Sequence, residues 1–559
     1  MPFLSASRNT AINYLSTVLT VDDMLGFGPQ ETLDEEDFIP EDEEGDESGV
    51  VDDQAEYQDD NDLADHYLDY QELSKSFASF GLHCSGLRPD ITKPVPEVVE
   101  DIIKPAITSD LCIFDWEMEE KKDGSTASSV IEKIVVNDYE MNGRLRLIVI
   151  YTGIDRSKHN LKIITPLKAL IETRLDGVST HTVKVAENTI GIHDNDGNCS
   201  WKIICVGKAD VEPAQLPNVA IDGFVELTAG LLSNATLASI SEIRTHTNNL
   251  LYKFNKNLDF AFVSHVLGLI SSPLSRGNAN NVSIDYAIDL LSEEIKSLLQ
   301  NSSLLKDEFE EDRMSKWPKF KNLNDKVKYE LNYSDKSHDL TADELLRVMN
   351  ISNQSNEEYD ATLASLSIAK GKFKSNSISL SLKGGDAKTY LQKLSSIEGV
   401  RRSVCSHKTS NPISLKQGTI LKAKDSIFVC IQPLCDSVRL EEETDFVFLK
   451  SVYDESNGKF SHVVKHDNEY IKLLLVPGEN GVHNFKFKPD VKRGEVVSLI
   501  ENEKHIFNAN YSLDDLVDVT IPFCWLGELK SNVAQSLTIQ LAGQLSRVGL
   551  DTNEWLRLQ

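Results

Sequence analysis

The stretch Asp110-Leu111-Cys112-Ile113-Phe114-Asp115-Trp116 decides the fold of the N-terminal part of this chain. Four consecutive apolar residues between two carboxylates suit a strand buried on both faces, and such strands belong to parallel sheets covered by helices on either side. Working outward, residues 14–21 form a second strand candidate ending on Asp22-Asp23, and residues 82–87 a third. Residues 144–151 are strongly β-branched and end at Thr152-Gly153, and residues 199–206 end at Gly207-Lys208. Amphipathic segments at 70–80, 94–107, 125–137 and 159–174 lie between them, the first closed by Gly81. Parallel neighbours need crossover connections, so this alternation predicts a five-stranded, doubly wound parallel sheet. Residues 181–193 read as one more extended segment before the turn Asn195-Asp196-Gly197-Asn198, and residues 221–254 as one long helix.

In such sheets the working residues gather outside the carboxyl ends of the strands. Four strand ends here present Asp22 and Asp23, Asp115, Thr152, and Lys208. Three carboxylates make a hard-oxygen cage of the kind Mg²⁺ prefers. A lysine and a threonine hydroxyl opposite them stabilise phosphoryl oxygens, and a carboxylate is a competent phosphoryl acceptor.

The rest of the sequence bounds the alternatives. With 559 residues the chain is long enough for about three domains. The net charge of −31 argues against nucleic acid as a partner, because phosphate neutralisation needs clustered lysine and arginine. Residues 31–70 hold 19 acidic residues and no lysine or arginine, so residues 31–68 are expected to be a disordered acidic insertion. No run of apolar residues is long enough to span a membrane, and residues 1–20 lack a basic stretch followed by an apolar one, so a cytoplasmic protein is expected. The eight cysteines are scattered, with no metal-ligand spacing, and read as buried thiols.

Beyond residue 245 the pattern changes. Residues 246–345 are mostly helical in character, clearest at 284–304; residues 301–338 read as an exposed helix or linker, and 341–349 as a helix with a good N-cap. Residues 346–559 become β-rich from about residue 400, with short alternating runs at 419–423, 426–432, 446–449, 470–476 and 484–487 and a helical tail at 528–548.

The order Val21-Asp22-Asp23, Ile113-Phe114-Asp115-Trp116, Ile150-Tyr151-Thr152-Gly153 and Gly207-Lys208 resembles the receiver domains of two-component response regulators. With Asp123-Gly124 and the run from Arg144 to Gly153, it is similar to the divergent receiver class found in bacterial anti-phage operons. The resemblance covers residues 10–245. It implies a flavodoxin-like α/β fold with strand order 2-1-3-4-5 and Asp115 as phosphoacceptor. Mg²⁺ would be held by Asp22, Asp23, Asp115 and the backbone carbonyl of Glu117, and the phosphoryl group contacted by Thr152 and Lys208. A histidine kinase is the implied partner; self-association as a homodimer stays open.

Two departures matter. Ala209 follows Lys208 where receivers usually carry proline, and Cys205 stands where an aromatic switch residue is usual. They suggest phosphate acceptance without the ordinary output relay, as in a phosphate buffer or sink that limits a separate effector. The alternative is a receiver-controlled effector enzyme, for example a nucleosidase, in the C-terminal half. Its Cys405, His407, Asp436, His462, His466 and His483 show no catalytic or metal-ligand spacing, and Lys383-Gly384-Gly385-Asp386 lacks the form of a phosphate-binding loop. A haloacid-dehalogenase-type phosphatase wants aspartate two residues after the nucleophile, where Glu117 stands.

Overall fold

The computed structural model describes residues 2–27, 67–90, 92–119, 121–140, 144–176, 181–193, 199–271, 279–321, 328–333, 336–351, 355–366, 378–385, 390–391, 394–395, 397–398, 403–404, 412–453, 459–466, 469–476, 482–491, 493–502, 504–513 and 517–545. The acidic insertion expected at 31–68, apart from its last two residues, lies outside them, as do the turn at 195–198 and the pair Cys405 and His407.

The chain divides into two compact units. The first holds residues 1–247, 298–329 and 339–372. It opens with helix α1 (Pro2–Tyr14), followed by β1 (Thr17–Val21), so the expected strand at 14–21 begins three residues later. The short pair β2 (Leu25–Gly26) and β3 (Leu68–Asp69) flanks the insertion point, and α2 (Tyr70–Ala78) leads to β4 (His83–Leu87). After these come α3 (Val95–Thr108), β5 (Leu111–Phe114), α4 (Ser125–Glu140) and β6 (Arg146–Thr152). The next helix runs through α5 (Arg156–His159), a π turn (Asn160–Ile164) and α6 (Thr165–Leu175). A hairpin, β7 (Thr182–Ala186) and β8 (Thr189–His193), precedes β9 (Cys199–Gly207). Two helices, α7 (Leu216–Thr228) and α8 (Leu231–Lys253), replace the single one expected. The break falls at Ala229 and Gly230, where Ala229 leaves helical geometry.

The sheet has seven strands in the order β4-β1-β5-β6-β9-β8-β7, which corrects the expected sheet of five. β4, β1, β5, β6 and β9 run parallel, and β8 and β7 extend the edge antiparallel. The extra pair arises because Glu187, at φ +49, and Asn188 turn the segment 181–193 into a hairpin where the sequence suggested one strand. One face of the sheet packs Val99, Ile102, Val130, Ile134, Ile163 and Leu167 from α3, α4 and the third helix. The other packs Ala11, Leu73, Phe77, Ala220, Ile221 and Phe224 from α1, α2 and α7.

Helix α12 (Glu311–Lys321) belongs to this unit: Phe320 stacks on Phe3 of α1 at 4.9 Å. Arg313 pairs with the buried Glu308, which accepts a 2.6 Å bond from Thr10. Helix α13 (Ala342–Val348) carries the expected N-cap, as a full capping box between Thr341 and Glu344.

The second unit holds residues 248–297, 330–338 and 373–559. Its core is an eight-stranded antiparallel sheet, with β13 (Ser403–Val404), β14 (Thr419–Ala423), β15 (Ser426–Cys430), β16 (Thr444–Lys450), β19 (Val482–Phe487), β20 (Leu499–Glu501), β21 (Lys504–Leu513) and β22 (Val517–Leu529). β22 pairs with both β14 and β21, so six strands close into a barrel. Its interior is dominated by phenylalanine: Phe428, Phe446, Phe448, Phe485, Phe487, Phe507 and Phe523. A second apolar layer joins the outer side of Ile420, Val429 and Leu449 to helix α15 (Ser531–Leu545), through Ala534, Leu537 and Leu541.

Candidate functional site

The carboxyl ends of β1, β5, β6 and β9 come together because these strands are neighbours in one parallel sheet. Asp22 directly follows β1 and Asp115 directly follows β5; Asp115 N–H donates to Val21 C=O at 2.9 Å, which sets the two acids side by side. Lys208 follows β9, and its N–H donates to Thr152 C=O at the end of β6, at 2.8 Å. The structure thus gathers Asp22, Asp23, Asp115, Thr152 and Lys208 at one sheet edge.

Lys208 is the electrostatic hub. Its Nζ lies 2.7 Å from Asp22 Oδ2 and 2.9 Å from Asp115 Oδ2, with side-chain exposures of 5%, 2% and 1% for the three groups. Asp22 Oδ1 accepts from Met24 N–H at 2.8 Å, and Asp115 Oδ1 from Trp116 N–H at 2.6 Å. Glu117 N–H stands 3.4 Å from the same Asp115 oxygen. Thr152 is fully buried and its Oγ1 accepts from Ile154 N–H at 3.3 Å. Burial pushes the Asp22 carboxyl up to about 7, the nearby Asp115 charge adding to the rise while Lys208 opposes it. Burial works to lower the Lys208 ammonium, but Asp115 and Asp22 outweigh it and hold it above its ordinary range.

Carboxylate oxygens of Asp22, Asp23 and Asp115 lie within 4.8 Å of one another. Three acids share one buried ammonium, so the pocket is short of positive charge, and its donors are all hard oxygens. That donor set fits Mg²⁺.

Neighbouring residues that the sequence did not single out hold this site in place. Trp116, buried beside Asp115, lies against Gly124, where a Cβ would fall 2.2 Å from the indole. Gly124 also sits at φ +75, a conformation glycine adopts at no steric cost. Glu119 accepts from the N–H groups of Gly124, Ser125 (3.1 Å) and Thr126 (3.2 Å), capping the start of α4. The signal for this cap was present as an acid shortly before Gly-Ser-Thr, but its spacing is longer than a capping box. Tyr151 donates to Val211 C=O at 2.6 Å, tying β6 to the segment after Lys208. Cys205 is buried among core apolar side chains, and burial pushes its thiol up to about 12.

A doubly wound α/β domain with a lysine-bridged acid cluster at its strand ends is the architecture of a phosphoacceptor module. Residues 14–189 match the family described as Response receiver domain, so this part of the chain is a receiver domain, with the response-regulator phosphoacceptor role and histidine-kinase type of phosphodonor that such domains have. Receiver domains bind Mg²⁺ through an acidic pocket, and the cluster of Asp22, Asp23 and Asp115 is one. The matched segment ends before β9, so Lys208 is placed by the structure alone. Comparison with curated proteins and with solved structures gives no match. Among the described residues, no helix is long and apolar enough to cross a membrane.

Proposed function

We propose that Asp115 accepts a phosphoryl group from a partner histidine kinase in the cytoplasm, and that the protein acts as a phosphate buffer or sink limiting a separate effector in bacterial anti-phage defence. The observation that carries the acceptor role is the buried bridge from Lys208 to both Asp22 and Asp115 at adjacent strand ends. In the transfer, a carboxylate oxygen of Asp115 forms the new P–O bond as the P–N bond of the phosphohistidine breaks. The electron pair goes to the imidazole nitrogen, which takes up a proton from water. Lys208 Nζ, already against Asp115, offsets the added negative charge, and the Thr152 hydroxyl donates to a phosphoryl oxygen. Mg²⁺ held by Asp22, Asp23, Asp115 and the Glu117 carbonyl supplies further charge neutralisation.

The sink reading rests on Cys205 and Ala209. An aromatic ring that swings between buried and exposed positions is the usual readout of phosphate on the threonine side, and a buried thiol has no such second position to offer. In this the chain resembles the receiver-bearing B component of the Detocs defensive two-component system. Residues 10–245 are taken as the receiver, 246–345 as a helical region and 346–559 as a β-rich domain without catalysis of its own.

The test is phosphotransfer from ³²P-labelled kinase with Mg²⁺. Wild type takes label and Asp115→Asn takes none; equal labelling of the variant refutes the acceptor assignment. The sink role is read separately, by adding excess protein to kinase and effector. Effector phosphorylation falls if the protein is a sink and is unchanged if it is not.

A further inference from the structure

Two helices of the second unit carry more apolar surface than a monomer keeps in water. Helix α9 spans Asp259–Ser271 and helix α10 spans Ala279–Asn301. They run antiparallel: Lys253, just before α9, pairs with Glu294, while Phe262 further on stacks on Tyr286 at 5.4 Å. The face between them is formed by Phe262, Tyr286 and the buried Val266 and Val282. A separate stripe points away from it. On α9 it consists of Phe260, Val263 and Leu267, exposed by 88, 52 and 61%; on α10 of Ile284, Ile288 and Leu291, exposed by 57, 55 and 44%.

The spacing of these six is three and four residues on both helices, the seam of a helical bundle at about 3.6 residues per turn. Together they leave roughly 600 Å² of apolar side chain uncovered, at or above the upper range for patches on monomers. A homodimer interface is roughly 65% apolar, so a seam of this size implies about 900 Å² per copy. That is above the ~800 Å² per partner of a stable complex.

We propose that a second copy of this chain covers the stripe, the two α9–α10 hairpins pairing about a twofold axis into a four-helix bundle. The stripe is self-complementary in the way a twofold contact requires, since each copy offers two antiparallel seams of the same period and no charge within them. Each copy carries a net charge of −31, so the association is held by apolar burial against overall repulsion. Added salt therefore tightens it. A basic partner docked by charge behaves oppositely.

The experiment is sedimentation of the full-length protein across a dilution series in low and high salt, beside Leu267→Glu and Ile288→Glu. Both positions are exposed, so folding is preserved and is checked by unchanged thermal melting. The expected result is a dimer that persists to lower concentration in high salt, with a twofold drop in mass for each variant. A wild type that stays monomeric at about 100 µM overturns the proposal, whether the stripe is then covered by the kinase or by the chain's own residues 546–559. Variants that remain dimeric overturn it too, by moving the interface elsewhere. Phosphotransfer to Asp115 is scored separately, so neither reading depends on the other.

Discussion

Lys208 and the two acids it bridges are worth more together than apart. Replacing the ammonium by an apolar side chain of similar length, as in Lys208→Met, leaves Asp22 and Asp115 facing each other in a buried site. The transferred charge is then uncompensated, and phosphoryl acceptance is expected to fall on the order of 100-fold. Mg²⁺ is expected to bind more tightly, because its competitor for the same carboxylates is gone; labelling kinetics and calorimetric titration read the two effects. Weaker Mg²⁺ binding in the variant counts against the charge argument. One residue further out, Gly124→Ala puts a methyl group into the Trp116 ring at a positive φ. It is expected to cost at least about 2 kcal/mol in urea unfolding. At this scale Asp22, Asp23, Asp115, Thr152 and Lys208 could be picked out in the sequence because each ends an apolar run. Glu119 and Gly124 could not, because their roles depend on a loop closing on itself.

At the scale of elements, the bottom of the parallel sheet is fixed by an ion pair that the sequence hides within a strand. Arg146, the first residue of β6, forms a bidentate pair with Asp138 of α4, both bonds 2.8 Å, and also donates to the carbonyls of Ala106 and Ser109. Both side chains are essentially sealed from water. Arg146→Met alone strands a buried carboxylate and is expected to cost roughly 3–5 kcal/mol, whereas the double change with Asp138→Leu recovers most of it. Chemical unfolding of the three proteins decides this; equal losses in single and double variants contradict it. Helix α13 offers a smaller test. Thr341→Ala removes the exposed capping box and is expected to cost about 1 kcal/mol, seen as faster amide exchange over residues 342–348. The cap was legible because Thr341 and Glu344 are three residues apart. The β7–β8 hairpin was not, since Glu187-Asn188 lacks a glycine and the alternation on either side reads as one strand.

For the whole molecule, the consequence of Cys205 and Ala209 is that phosphate on Asp115 stays a local event. Acetyl phosphate with Mg²⁺ is expected to slow amide exchange around residues 22, 115 and 208 and to leave the barrel strands 419–529 unchanged. Altered exchange in the barrel would instead favour an effector reading. The barrel has a purely physical rationale in its phenylalanine interior, where Phe485 and Phe523 meet edge to face at 4.9 Å. The alternation Phe446/Phe448 and Phe485/Phe487 already marked those runs as one-sided strands.

The sequence by itself determined the parallel core of the receiver and the residues at its strand ends. Buried strands, turn residues and the chemistry of carboxylate, hydroxyl and amine are properties of short segments. What only the tertiary structure decided are features made by partners distant in the chain. These are the seven-stranded width of the sheet, closure of the barrel by β22 pairing with both β14 and β21, and the approach of Lys208 to Asp22 across 186 residues. None of these leaves a local trace, because the energy that fixes each comes from contacts formed only once the whole unit has folded.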